Sequence, residues 1–275
     1  MIGVWAVPLF VPADRVRACR VVLSPRERER ADRLRLPVDR SRFTVCRWAL
    51  RTLLGSACRL PPEDVRFVYG VRGKPRLADA PEVHFNLTHA RGLALIAVGD
   101  APVGIDVEYA DRIPDTMYEL IRCFFSPAER RRVLERPAEE HRDAFFRCWT
   151  RKEALIKACG EALHSVPADF APPGPWSLLP LTPVPGYLGA LAVRGGREHL
   201  GDPAEGGIDL PDGPHLHRCR LVRGPWYPPD GTPDESDIGE HGLGIGGPGP
   251  LRLLGERTDR LDARVYGVDR VGEVR

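Results

Sequence analysis

The chain has 275 residues, 43% of them hydrophobic, and a formal net charge of +2, which is enough apolar material for one large domain or two small ones. A charge so close to balance argues against whole-molecule attraction to nucleic acid or to an anionic membrane, and the longest apolar runs, such as LALIAVG at 93–99, are too short to span a bilayer. Seven scattered cysteines, an odd number without a C-x-x-C pair, fit reduced thiols in a cytosol rather than a disulfide frame or a zinc site.

The first residues carry no basic n-region and no small-residue cleavage site, so no signal peptide and a cytoplasmic location are expected. GVWAVPLF at 3–10 alternates loosely and predicts a first strand. SPRE at 24–27 is a helix start, with Ser24 as the cap, Pro25 in the first helical position and Glu27 closing a capping box. A basic helix follows over 26–35. Residues 39–54 place Phe43, Cys46, Trp48, Leu50, Leu53 and Leu54 at helical spacing, with Gly55 as the expected stop. Short strands are predicted around 65–69, 83–87, 93–98 and 103–108. SPAE at 126–129 repeats the capping box and opens a helix to about Arg136; a longer helix spans roughly 141–159, with Gly160 as its stop. WSLLPL and GYLGALAV then predict a late hairpin. Two capping-box helices, each followed by a longer helix and then strands, suggest a duplicated α+β unit with halves at 1–102 and 103–195.

Beyond residue 195 the composition changes. Residues 201–275 contain 15 Gly and 9 Pro with few large apolar side chains, too little burial to offset ordering entropy, so 196–275 is expected to be a disordered tail.

Lysine usage singles out the chemistry. Of 40 lysine and arginine residues only Lys74, Lys152 and Lys157 are lysines. A drift that strong replaces lysines serving only as solvated charge, so the survivors are suspected of work that a compact ammonium does and a planar guanidinium does not. Asp106 and Glu108 stand two apart on a predicted strand, hence on one face. Two like charges so close favour an oxygen-seeking cation such as Mg²⁺ between them, although two solvated acids at an exposed strand end read the same. Glu153 and Lys157 stand four apart on a helix, as a third carboxylate with a phosphate-binding ammonium or as an ordinary surface ion pair. Lys74 sits in a turn, and Thr88 and His89 end a strand; their hydroxyl and imidazole suit phosphate oxygens, while His89 alone also reads as a structural histidine. His84 with His89, and His215 with His217, lack the further ligands of a metal set. On the basic helix, Glu27, Glu29, Asp32 and Asp39 interleave with the arginines and weaken the case for nucleic acid.

In order, SPRERERADRLRLPVDRSRF, GKP, FNLTHARG, VGIDVE, FFSPAE and FFRCWTRKEALIKACG resemble the surfactin-type 4′-phosphopantetheinyl transferases over about residues 1–195. The resemblance implies an α+β fold of two pseudo-twofold halves with the active site in the cleft between them. It implies transfer of the phosphopantetheine arm of coenzyme A to a serine of an apo acyl or peptidyl carrier protein, releasing adenosine 3′,5′-bisphosphate. Asp106, Glu108 and Glu153 would hold Mg²⁺; Lys157 would contact the phosphate under attack, and Glu153 would help take the serine proton. Lys74 and Pro75 would lie at the adenine, Thr88 and His89 at phosphate, with Arg30 and Arg42 adding charge at the 3′-phosphate. Glu129 matches a family acid near the site. Thr88 stands where serine is commoner, and Glu27 where some relatives carry a base, which shifts weight onto Arg30 and Arg42. A monomer is the implied default, and the carrier would dock near Phe124 and Phe125 with help from Arg112 or Arg122. Two other classes share these residues: a Mg²⁺-dependent phosphodiester enzyme needing no carrier, and a non-catalytic carrier- or polyanion-binding module.

Overall fold

Both helix starts form as the sequence dictates. Ser24 and Ser126 each accept a hydrogen bond from the backbone N–H three residues on, and Glu27 and Glu129 reach back to the cap N–H at 2.9 and 2.7 Å. These boxes open α2 (Pro25–Arg33) and α5 (Pro127–Leu134). The computed structural model describes residues 1–111, 114–195 and the backbone of 217–218, and it is a mixed helix-and-sheet fold.

Behind each capped helix lies a longer one, α3 (Pro37–Cys58) and α6 (His141–Cys159). The expected stop at Gly55 does not occur. Arg59 closes α3 in the left-handed conformation at φ 56°, and Gly55 instead receives the Leu60 carbonyl, which a Cβ would meet at 2.7 Å. Gly160 ends α6 as expected, at φ 74°. Two short helices, α1 (Ala13–Arg20) and α4 (Met117–Phe124), were not predicted from the sequence; α1 buries only Cys19, whereas α4 buries Met117 and Ile121 at i, i+4, an amphipathic spacing confined to eight residues.

The strands are β1 (Gly3–Pro8), β2 (Phe67–Tyr69), β3 (Pro75–Leu77), β4 (His84–Ala90), β5 (Leu93–Gly99), β6 (Val103–Tyr109), β7 (Trp176–Leu181), β8 (Tyr187–Arg194) and β9 (His217–Arg218). They pair antiparallel into a sheet ordered β4-β5-β1-β9, a β2-β3 hairpin and a sheet ordered β6-β8-β7. The predicted late hairpin is β7-β8. The tail expected to be disordered lies outside the described residues except at β9, where His217 and Arg218 pair with Ala6 and Trp5 of β1. Arg112 also falls outside them. No described helix is long and apolar enough to cross a membrane.

One core lies between α3 and the β1-β5-β4 sheet, around Leu50, Leu54, Phe85 and Ile96. A second joins β1 and β5 to β6 and β8 through Val4, Leu95, Ile105 and Leu191. Phe125, expected near a docking surface, is fully buried and stacks on Phe145 at 5.7 Å in a third cluster. The fourth consists of small residues: Ala154 and Ala158 of α6 against Ala190 and Ala192 of β8. Beside them a Cβ on Gly104 would stand 2.1 Å from the Ala154 carbonyl and 2.3 Å from the Ala158 nitrogen. Helix backbone and strand backbone therefore meet with no side chain between them. Gly104→Ala is expected to lower unfolding free energy by about 1–3 kcal/mol through overpacking, measured by urea denaturation; an unchanged midpoint would contradict this account of the contact.

Candidate active site

The Gly104 contact sets α6 directly over β6, and the two elements then supply facing charges. Asp106 points from β6 into a site where its side chain is only 4% exposed, and the Lys157 ammonium donates to its Oδ1 at 2.5 Å. The same ammonium stands 3.9 Å from Glu153 Oε2 one turn earlier on α6. From the other sheet, Thr88 of β4 donates its hydroxyl to Asp106 Oδ1 at 3.2 Å, and Asn86, two residues before it on the same face, accepts the Ile105 N–H at 2.8 Å. Asp106 Oδ2 is buried without a hydrogen-bond partner.

Electrostatics tie the remaining carboxylates to this group. Burial pushes Asp106 upward despite Lys157 and Thr88, and it pushes Glu153 upward as well, with the Asp106 charge adding to it. Burial raises Glu108 to about 8, reinforced by the charges of Asp106 and Glu153; the Lys157 ammonium and, less strongly, a hydrogen bond from Trp149 oppose the shift. Burial thus opposes ionisation of all three acids, and Lys157 favours it. An oxygen-ligated divalent cation would favour it further, and the unpartnered Asp106 Oδ2 is an available donor of the right chemistry. Among the described residues, however, no three His, Cys, Asp or Glu side chains form by themselves a group that could hold a metal. Lys157 is the cation that joins Asp106 to Glu153.

His89, one residue past Thr88, has its pKa lowered by burial and then by the positive charges of Lys157 and Arg42, so it is neutral at pH 7 and keeps one ring N–H to donate. Arg42 stacks over Phe10 at 5.2 Å, lies 3.6 Å from Asp39, and has a buried Nε without a hydrogen-bond acceptor. Arg91, at φ 46° in the β4-β5 turn, covers the Tyr109 ring at 4.4 Å. The structure therefore gathers Thr88, His89, Asp106, Glu108, Glu153 and Lys157, with Arg42 acting on His89.

Other expected residues are placed differently. Arg30 stacks over Phe43 of α3 at 5.4 Å. Glu27 is buried and accepts from Arg47 Nε and Arg51 Nε, each at 2.6 Å, so it fastens α2 to α3. Glu129, expected near the site, closes its capping box and pairs with Lys152 at 3.0 Å, while Lys152 also donates to the Ala168 carbonyl at 2.6 Å. That is why Lys152 is retained: it is buried and staples α5 and the 161–170 segment to α6. The Lys74 ammonium turns to backbone carbonyls at the end of α6, and Pro75 begins β3 beside it. Asn86 and Trp149 were missed by sequence reasoning; the i, i+2 spacing of Asn86 with Thr88 and the i, i+4 spacing of Trp149 with Glu153 are the signals that were available.

The raised carboxyl of Glu108 fixes the sign of a pH effect. The fold holds a proton there that the unfolded chain has released above its ordinary value of 4.5, so this contribution to stability is complete below 4.5 and is lost as pH rises through about 8. In EDTA, melting temperature is expected to fall across that window, and Glu108→Gln should flatten the fall. A Glu108→Gln profile parallel to wild type would refute the assignment.

A family model described as the 4′-phosphopantetheinyl transferase superfamily matches residues 102–177, which run from β6 into β7. Over 209 residues the chain is 36% identical to the 4′-phosphopantetheinyl transferase HetI of Nostoc sp., covering 70% of this chain and 88% of that protein. It is 36% identical to the transferase psf-1 of Bacillus pumilus over 137 residues, 50% of this chain and 58% of that one. With the transferase Sfp of Bacillus subtilis it shares 32% over 147 residues, 54% and 64% of the two chains.

Proposed function

The chain belongs to the 4′-phosphopantetheinyl transferase superfamily, and from that premise we propose that it transfers the 4′-phosphopantetheine arm of coenzyme A to a serine of an apo acyl or peptidyl carrier protein. In this reaction the serine oxygen bonds to the phosphorus that bears pantetheine. The bridging P–O bond breaks, adenosine 3′,5′-bisphosphate leaves with that electron pair, and the hydroxyl proton passes to a base. The observation that carries the reading is the buried group in which the Lys157 ammonium stands 2.5 Å from Asp106 and 3.9 Å from Glu153.

Each residue has a part that follows from its chemistry. Lys157 supplies an ammonium for the oxygens of the phosphate under attack, where negative charge gathers in the transition state. Glu153, its basicity raised by burial, accepts the serine proton. Thr88 and the neutral His89 donate hydrogen bonds to phosphate, and Arg30 and Arg42 add charge at the 3′-phosphate. The turn carrying Lys74 and Pro75 offers the lysine stem and the proline ring to the adenine. Asp106, Glu108 and Glu153 would hold Mg²⁺, which when bound neutralises pyrophosphate oxygens as a Lewis acid; the unpartnered Asp106 Oδ2 supports that donor set.

The architecture reads as two pseudo-twofold halves, 1–102 and 103–195. Supporting this, each half has a capping-box helix, a longer helix and three antiparallel strands, β4-β5-β1 and β6-β8-β7. The site then lies between the halves, at β4, β6 and α6, in a monomer acting in the cytoplasm.

The test is the intact mass of an apo carrier protein after incubation with the chain, coenzyme A and Mg²⁺. A gain of one phosphopantetheine arm that EDTA abolishes is expected. No gain across fatty-acid, polyketide and peptide-synthetase carriers would overturn the reading, and coenzyme A breakdown without a carrier would favour a phosphodiester enzyme instead. Lys157→Ala should lower kcat by about a hundredfold or more and should also lower the melting temperature, because it leaves Asp106 buried without its ammonium. A wild-type kcat would remove Lys157 from the chemistry.

A further inference from the structure

The end of α6 is held by a residue from the other half of the chain. In a helix the last four carbonyls lack intrahelical partners. Here the Ile156 carbonyl takes the Glu161 N–H at 3.0 Å, and the Lys157 carbonyl takes the Gly160 N–H at 3.2 Å. The Lys74 ammonium, from the turn between β2 and β3, donates to the Lys157 and Ala158 carbonyls at 2.7 Å each and to the Val103 carbonyl of β6 at 3.2 Å. One nitrogen thus spans the two elements that carry the site: α6, with Glu153 and Lys157, and β6, with Asp106 and Glu108.

Neighbouring contacts reinforce the placement. Arg72, two residues before Lys74, forms an ion pair with Glu161 just past α6. A Cβ on Gly160 would lie 3.3 Å from the Lys74 side chain, so the lysine stem packs along the helix terminus. The three acceptors of the ammonium are all backbone oxygens, and the negative end of the helix dipole favours a cation there. Three carbonyls converging on one nitrogen suit the tetrahedral donors of an ammonium; the planar fork of arginine spreads its donors over separate atoms. This accounts for a lysine surviving at 74 in an arginine-rich chain.

We propose that Lys74 is a positioning residue, whose ammonium locks the C-terminal turn of α6 to the start of β6 and so sets Glu153 and Lys157 against Asp106. The inference rests on the transferase reading for its kinetic test, and its substance goes beyond a contact with the nucleotide. The cost of losing the lock appears in the chemical step, because Lys157 sits in the very turn whose carbonyl Lys74 binds, and small displacements of reacting groups lower rates steeply.

The experiment compares wild type, Lys74→Met and Lys74→Gln with two donors: coenzyme A, and pantetheine methyl diphosphate, which carries the same pyrophosphate without adenosine. Lys74→Met keeps stem length and removes every N–H; Lys74→Gln keeps two. Lys74→Met is expected to lower kcat about tenfold or more with both donors alike, with KM for coenzyme A within about threefold of wild type, and Lys74→Gln should lose less. A rise in KM for coenzyme A that vanishes with the adenosine-free donor would overturn the proposal in favour of adenine binding. A lowered melting temperature with kcat and KM intact would reduce Lys74 to a structural cap. Amide hydrogen exchange over 153–161 reads the lock without turnover: faster exchange in Lys74→Met is expected, and unchanged exchange overturns the proposal. If the wild-type chain modifies no carrier with coenzyme A, the transferase reading fails, and the exchange measurement still decides the role of Lys74.

Discussion

The rest of the site depends on one close approach, that of α6 to β6 at Gly104. Helix and sheet normally stand apart by the thickness of the side chains between them. Here glycine on the strand faces the backbone of Ala154 and Ala158 on the helix, and Ala190 and Ala192 flank the contact. Without intervening side chains the helix settles onto the strand. Lys157 then reaches Asp106 directly, two positions past Gly104 on the same strand face. A bulkier residue would lift α6 away, and the 2.5 Å contact between the charges would open.

Burial follows from that approach and governs the electrostatics. Asp106 sits where water is excluded, so its charge is stabilised by what the protein supplies: the Lys157 ammonium, the Thr88 hydroxyl and the Val107 N–H. Glu108 and Glu153 share the same burial, which is why all three carboxyls are shifted upward. The apolar core stabilises the fold enough to tolerate this group, and it leaves the Lys157 ammonium largely desolvated and aimed at Asp106.

The three lysines show how one residue type can be retained for separate physical reasons. Lys157 neutralises buried carboxylates. Lys152 fills a buried gap between a capping-box glutamate and a loop carbonyl. Lys74 gathers three carbonyls across two elements. In each case the nitrogen must be compact and able to donate in several directions, whereas arginines elsewhere stack on rings, as Arg30, Arg42, Arg47 and Arg91 do.

Local physics was legible before any fold was seen. The capping boxes, the Gly160 stop, the late hairpin, the strands around 83–87, 93–98 and 103–108, and the pairings Asp106 with Glu108 and Glu153 with Lys157 all follow from spacing along the chain, because caps and faces are set by neighbours a few residues away. The motifs also carried the family. Helices α1 and α4 were not predicted: α1 buries only Cys19, and the i, i+4 pair Met117 and Ile121 of α4 is confined to eight residues. Gly55 read as a stop because its packing partner, the Leu60 carbonyl, is invisible to propensity. What only the tertiary structure decided is which atoms each charge meets: Lys74 at the end of α6 rather than held in its own turn, Glu129 on Lys152, Glu27 on Arg47 and Arg51, Asn86 on the Ile105 amide. Those partners lie between 19 and 83 residues away in the chain, and only the folded core brings them within hydrogen-bond reach.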